Sequence, residues 1–554
     1  MITIYGKGVS AGIAAGPLCF FRHARAEVTR GAAADAETEW KRFRDARAAA
    51  SEQLGALAER ARATAGDEAA LLFETHRMMA EDPDYEEAVA EGVRGGMSAE
   101  AALADARERF AEQFAAMDDP YMRLRAADVR DISERILAIL TGAAQGGFES
   151  DTPVILAADD LSPSETIQLD KGKILAIVTE GGAEVSHTAI LARAMGIPAV
   201  VGAGGCLRAA YAGHEAIVDG EDGTVVLDPD AETRARLAEK RAEQLRERER
   251  LDRLRGGASV TRDGRRVRIC CNAGDPGDVA AALANGGEGI GLFRSEFLYL
   301  GREAFPSEEE QFEAYRKALC AMGDREVVIR TLDIGADKQL GYFALPREEN
   351  PAMGNRGLRV CLDRPDIFRT QLRALYRASA FGRLGILLPM VASVWEVREA
   401  KELCGQVRRE LAAEGAAFAD DVPVGVMIET PAAALLSDRL AKEADFFSCG
   451  TNDLAQYTLA CDRQNGNLGR FFDPRHIAVL RLLKLVVDNA HRNGVRVGIC
   501  GELGADPQMT ETLLAIGFDE LSVPPNRVLP LRQRVREADA ALARARLLDE
   551  LTYS

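Results

Sequence analysis

The 554-residue chain is short of several things, and each shortage excludes something. It contains no continuous run of about 18 apolar residues, so no membrane-spanning helix is expected. Its opening, MITIYGKGVSAG, lacks the apolar core of a signal peptide, and the protein is read as cytoplasmic. Ten cysteines are scattered without a single CxxC pair. Cys270 and Cys271 are adjacent, which suits neither an ordinary disulfide nor a zinc site, so reduced core thiols are expected. Basic charge is also scarce: 69 Lys plus Arg stand against 87 Asp plus Glu, a net charge of −18. Nucleic-acid partners, which select basic surfaces, are therefore not expected. Histidine is the last scarcity, with six in all.

What is present is strongly organised. A chain of this length holds about three or four domains. Residues 1–20 alternate apolar and small residues with many glycines, a strand-and-turn pattern. Residues 33–142 are rich in Ala, Glu and Arg with apolar residues at helical spacing, as in AADVRDISERILAIL, and predict four or so helices. Acid is concentrated here: residues 24–148 carry 25 Asp plus Glu against 16 Lys plus Arg, a net of −9. That excess is either a solvated face or a dock for a basic protein. Residues 150–229 return to strands. A helical block between strand-rich pieces predicts an insertion into a small α/β domain whose sheet takes back residues 1–20. Residues 230–256 read as one charged helix about 40 Å long. It has no broad apolar face, which suits a spacer. From about residue 265, eight apolar strands (VRICCN, GIGLFR, VVIRT, GILLPM, VGVMIE, FFSCGT, VRVGIC and ELSVP) alternate with helical segments. A closed (β/α)8 TIM barrel is expected, with an open doubly wound sheet as the alternative.

One histidine stands at a chemically special place. In GGAEVSHTAILARAMGIPAVVG (181–202), Ser186 reads as an N-cap, Thr188 to Met195 as a helix and Gly196 as its C-cap. A helix N-terminus offers unpaired N–H groups and a partial positive charge. That setting favours a neutral imidazole at His187 and then an anion placed on it, and an accepted phosphoryl group satisfies both.

The barrel's predicted strand ends carry the rest of the chemistry, at the edge where such barrels hold their active sites. Arg294 ends strand two, and Arg330 ends strand three, running into Asp333 and Lys338. Glu429 ends strand five. Asn452, Asp453 and then Arg463 follow strand six, and Cys500 and Glu502 end strand seven. Singly, these are ordinary surface, capping or packing residues. Jointly, Glu429 and Asp453 could hold one hard cation such as Mg²⁺. Arg294, Arg330, Arg463 and Arg356 could surround a phosphate, which arginine matches bidentately. The set suits a small anionic phosphorylated substrate and phosphoryl transfer.

Long motifs in a fixed order then point to a family: LSPSET (161–166), VSHTAILAR (185–193), GIGLFRSEF (289–297), IRTLDIGADK (329–338), ENPAMGNRGLR (349–359), IETPAA (428–433), GTNDLAQYTLACDR (450–463) and GICGE (498–502). Nearly end to end, the chain resembles the phosphoenolpyruvate–protein phosphotransferases, enzyme I of the bacterial sugar phosphotransferase system. The resemblance implies a C-terminal TIM barrel and a swivelling α/β phosphohistidine domain with an inserted helical bundle. The domain plan is residues 1–22 and 146–229 for the phosphohistidine domain, 23–145 for a helical HPr-binding domain, 230–257 for a linker helix, 258–540 for the phosphoenolpyruvate-binding barrel and 541–554 for a tail.

The same resemblance implies that His187 takes the phosphoryl group of phosphoenolpyruvate and passes it to the phosphocarrier HPr. Arg294, Arg330, Asn452 and Arg463, with Lys338 and Arg356, would hold the substrate. Glu429 and Asp453 would bind Mg²⁺, and Cys500 would protonate the enolate to give pyruvate. The acidic helical domain would be the HPr dock, around Met78, Met79 and Arg125, and the barrel would form a homodimer. Departures from the family pattern are Glu184 and Val185 before Ser186, Asn355, and Ala455. They leave open a phosphorelay member with a specialised or regulatory HPr-like acceptor. No glycine-rich ATP-binding segment of the related dikinases is evident.

Overall fold

The computed structural model describes residues 1–22, 35–65, 67–116, 120–143, 147–148, 150–170, 172–183, 186–300, 302, 304–335, 342–343, 346 and 348–553. They fall into two compact units, Met1–Glu247 and Arg248–Ser554.

The first unit opens with β1 (Ile2–Tyr5), β2 (Lys7–Ser10) and β3 (Ile13–Phe20). Five helices follow, α1 (Ala36–Ala65), α2 (Asp67–Ala80), α3 (Pro83–Arg94), α4 (Ala99–Ala115) and α5 (Pro120–Thr141). The chain then returns through β4 (Val154–Ala158), α6 (Pro163–Gln168), β5 (Ile174–Thr179), α7 (His187–Met195), β6 (Ala199–Val201), β7 (Glu215–Asp219) and β8 (Thr224–Leu227). All eight strands join one sheet in the order β1-β8-β7-β3-β4-β5-β6-β2. The N-terminal strands thus re-enter the sheet of the later ones, and the helical block is an insertion between β3 and β4.

Period-two alternation sorts the sheet's side chains between two cores. Leu156 and Ile177 pack with Phe43, Leu54, Phe73 and Leu103 of the helices, and with Leu191 of α7. Ile155 and Val178, one position away, face the opposite core with Leu18, Val218 and Val225. The helical block therefore shares its core with one face of the sheet.

A charged helix, α8 (Ala231–Asp252), follows. Only Leu237 is buried, and Lys240 pairs with Asp219 and Asp222 at 2.6 Å each. The division between the two units falls within this helix.

The second unit is a barrel of β9 (Arg268–Ala273), β10 (Ile290–Phe293), β11 (Val327–Arg330), β12 (Leu384–Leu388), β13 (Val424–Ile428), β14 (Phe446–Cys449), β15 (Arg496–Ile499) and β16 (Glu520–Val523). Every neighbouring pair is parallel, and β16 closes onto β9 with Glu520 opposite Arg268 and Val523 opposite Cys271. Closure removes the open doubly wound alternative. Strands wrapped by helices outside and side chains inside are buried on both faces, which explains their continuous apolar runs.

Charges seal the N-terminal end of the barrel. Arg268, Arg496 and Glu520 are the first residues of their strands, and Glu326 precedes β11. Glu326 accepts from Arg268 (2.8 Å) and Arg496 (2.7 Å), and Glu520 lies 3.4 Å from Arg268. The Arg496 guanidinium stacks over Phe446 at 4.9 Å. Above this floor lies a layer of Leu292, Val328, Leu387, Met427, Phe446 and Cys500.

Candidate active site

In the first unit the candidate group lies at the start of α7. Ser186 caps it, its hydroxyl accepting from the Ala189 N–H at 3.3 Å, and Gly196 ends it at φ 67°. Buried Thr188 donates to the Leu161 carbonyl at 2.9 Å, tying α7 to the segment that enters α6. The glycine turn after β5 is held by N–H donation from Gly202 to Gly181 and from Gly204 to Glu180. His187 is the first residue of the helix, as the capping pattern predicts; its side chain lies outside what is described. Glu184 and Val185 lie outside the described residues, as does Lys338.

In the second unit the candidate groups lie at the barrel's C-terminal mouth. Arg330, the last residue of β11, is buried and held twice: Nη2 donates to Glu296 at 2.9 Å, and Nη1 lies 3.0 Å from Asp333. Asp333 also receives Nη2 of buried Arg356 on both carboxylate oxygens, at 3.1 and 3.0 Å. Glu296 in turn accepts the Asp333 backbone N–H at 3.1 Å. Two carboxylates thus hold two guanidinium groups in a fixed orientation.

Gly357 sits beside this frame at φ 60°, where a Cβ would lie 2.9 Å from Met390 Cγ and 3.1 Å from an Asp333 oxygen. Met390 is itself in the left-handed region at φ 56°, uncommon for a long side chain. That conformation points its N–H at Glu429, 2.6 Å away.

Glu429 follows β13 and is buried. Burial, then the charges of Asp333 and Asp453, push its carboxyl up to about 8 against the pull of Arg330 and the Met390 N–H. Gly450 makes room for it: a Cβ there would stand 2.8 Å from a Glu429 oxygen. Asp453, in the helix Thr451–Leu459, is buried, with Arg463 3.8 Å away. Asn452 and Glu502 bond reciprocally, side chain to side chain and N–H to side chain, at 3.1 Å each. Arg294 is exposed directly after β10.

Cys500 closes the pocket from below. It is buried, and its thiol faces the Cys449 carbonyl at 3.6 Å. Burial above all, with the charge of Glu429 adding, pushes the thiol up to about 11 despite the Ser448 hydrogen bond and the charges of Arg330 and Arg294.

Nε of Arg330 and the Thr451 hydroxyl are buried without a hydrogen-bond partner among the described residues. Orphaned groups at a mouth lined by arginines and carboxylates fit a polar ligand.

Comparison with known proteins accounts for this arrangement. Models of PEP-utilising enzymes match in three consecutive stretches: the N-terminal region at residues 5–125, the mobile domain at 150–223 and the PEP-binding domain at 248–540. The chain is 43% identical to the phosphoenolpyruvate-protein phosphotransferase of Bacillus sp. (strain S), over 97% of this chain and 93% of that one. For the proteins of the same name from Geobacillus stearothermophilus and Bacillus subtilis (strain 168) the identities are 42% and 41%, each over 97% of this chain and over 93% and 94% of theirs. The chain belongs to the phosphoenolpyruvate-protein phosphotransferase family.

As a phosphotransferase of this family it is a transferase. Of the residues singled out in its sequence, Arg330, Arg356, Glu429, Asp453 and Cys500 meet in the buried mouth, while Arg294, Asn452 and Arg463 stand at more exposed positions. Among the described residues no group of three or more His, Cys, Asp or Glu side chains is poised for a metal ion. Glu429 and Asp453 still fit Mg²⁺, which uses one or two carboxylates and fills its remaining positions with water and substrate oxygens. Their repulsion, visible in the raised Glu429, is what a cation would relieve.

Sequence reasoning gave no role to Glu296 and noted Asp333 only in passing. Their function as the arginine frame follows from contacts 34 to 37 residues apart, which motif spacing does not display. The signal that could have found Asp333 is its i, i+3 spacing from Arg330. Of the departures, Asn355 is held by Glu348 and Asp363, and Ala455 lies in the barrel core.

Proposed function

We propose that this phosphotransferase moves the phosphoryl group of phosphoenolpyruvate to His187 and then to a histidine of the carrier HPr, releasing pyruvate, as the first step of sugar uptake. The observation that carries the reading is the buried mouth itself, where two oriented arginines, the carboxylates of Glu296, Asp333, Glu429 and Asp453, and a buried thiol converge. Arg330 and Arg356, with Arg294, Asn452, Arg463 and Lys338, hold the phosphate and carboxylate of the substrate. Their charges are already positioned, so little reorganisation accompanies the transfer. Glu429 and Asp453 would hold Mg²⁺, which when bound supplies positive charge to the substrate's oxygens.

The P–O bond to the enol oxygen breaks as an N–P bond forms at His187, leaving the enolate of pyruvate. Cys500 gives its proton to the methylene carbon, and the thiolate regains one from solvent. A thiol pushed up to about 11 holds its proton throughout the neutral range, as a donor must.

The helical insertion, acidic as a whole, would receive HPr, with Met78 largely exposed and Met79 packed against the core. A homodimer through the barrel is the expected assembly, and exposed Trp395 and Leu435 offer apolar surface for it. No helix among the described residues is long and apolar enough to cross a membrane, in keeping with work in the cytoplasm.

The test is incubation with labelled phosphoenolpyruvate and Mg²⁺, with and without HPr. Acid-labile phosphate on His187 that moves to HPr is expected. A protein that takes no label and forms no pyruvate would overturn the reading.

A further inference from the structure

The first unit contains a buried ionic cluster that the phosphoryl-transfer chemistry does not use. His76 of α2 is fully buried. Its Nε2 lies 3.1 Å from Asp128 and its Nδ1 3.5 Å from Asp131, both on α5. Asp128 continues to Arg125 at 3.1 Å, and Asp131 accepts the hydroxyl of buried Ser164 at 2.7 Å. Arg125, Asp128, His76 and Asp131 alternate in sign and sum to zero when the imidazole is charged.

The two ends of this chain are the informative part. Arg125 lies in the proposed carrier dock. Ser164 belongs to the LSPSET segment, which serves above only as a family signature. That segment forms α6 under a capping box of Ser162 and Glu165, and its Leu161 carbonyl holds Thr188 of α7. A continuous buried path therefore runs from the dock to the helix that begins at His187.

Burial by itself pushes the His76 imidazole down. The carboxylates of Asp128 and Asp131 close to its two nitrogens outweigh this and hold it at about 9. The other groups facing the cluster are Arg135 on α5, whose charge opposes Asp131, and Ser162 and Glu165 of α6. Apolar side chains of similar volume would generally serve stability as well or better than buried ions. What a set of buried charges adds is one specified geometry, because displacing a member disturbs the pairing of its neighbours.

We propose that His76 is a positioning residue for the carrier step: clamped between Asp128 and Asp131, it fixes Arg125 of the dock relative to Ser164 and hence to the His187 helix. This rests on the function proposed above. Transfer between two protein histidines needs both in near-attack geometry, and small misplacements are costly.

The experiment uses the full chain and its Asp131→Asn and Ser164→Ala variants. Labelling from phosphoenolpyruvate with Mg²⁺ is measured separately from kcat/KM for transfer to HPr. In both variants labelling is expected to reach the parent's extent. Carrier kcat/KM is expected to fall on the order of tenfold in Asp131→Asn. It should fall in the same direction in Ser164→Ala, which deletes one hydroxyl and keeps the ionic cluster, and so decides the matter should Asp131→Asn not fold. Nitrogen NMR of the parent at pH 8 is expected to show both His76 ring nitrogens protonated, which a purely packing role would not require. A carrier step unchanged in Ser164→Ala, or a neutral ring at pH 8, overturns the proposal. A parent that takes no label from phosphoenolpyruvate overturns the functional reading instead.

Discussion

At the residue scale, the mouth of the barrel shows how burial selects a role. Cys500 is surrounded by Leu292, Val328, Met427 and Phe446, and this apolar layer penalises the thiolate. The thiol should therefore resist alkylation while exposed Cys206 and Cys320 react. Mass spectrometry after iodoacetamide treatment at pH 8 checks this, and early modification of Cys500 would contradict the described burial. Cys500→Ala should lower pyruvate formation by about 10²-fold or more if the thiol is the proton donor, as measured by steady-state turnover.

Gly357 gives a second prediction at this scale. Gly357→Ala places a Cβ against Met390 and Asp333 and strains a left-handed position, costing roughly 1–3 kcal/mol. Because Arg356 precedes it, the KM for phosphoenolpyruvate should rise. An unaltered KM would show that the Arg356 frame tolerates movement.

At the scale of elements, legibility in the sequence depended on how local the cause was. The eight barrel strands were readable because each is an apolar run buried on both faces, as in VGVMI of β13. The cap at Ser186 and the stop at Gly196 were readable because capping is decided within three or four residues. Among the described residues five helices stand where four or so were expected, α1 ending at Ala65 and α2 beginning at Asp67. The charged helix ends at Asp252, short of the expected 256, in turns before Gly256 at φ 77°. The Glu296–Asp333 frame and the Asp128–His76–Asp131 cluster were not readable, because their members come from elements that only tertiary packing brings together.

The pairing of α2 with α5 also predicts a pH dependence. His76 has a folded-state value raised from the ordinary 6.5 to about 9. Its stabilisation is therefore fully present below about 6.5 and is lost as pH rises through about 9. The melting temperature of the first unit should fall across pH 7 to 10 for the parent, and this slope should flatten in His76→Gln. An identical slope in that variant would assign the loss to other groups.

At the scale of the whole molecule, the groups named in the proposed transfer are divided between the two units. His187 belongs to the first and the mouth to the second. Fragment 1–247 should unfold cooperatively in calorimetry and take no label from phosphoenolpyruvate, yet accept it from phosphorylated HPr. Label taken directly from phosphoenolpyruvate by the fragment would mean that the barrel is dispensable.

The ionic floor of the barrel has one more consequence. With Arg268, Glu326, Arg496 and Glu520 locked across the strand beginnings, charge bars the N-terminal end of the barrel beneath Cys500. A small anion reaching the arginines of the barrel is therefore expected to come in from the C-terminal mouth.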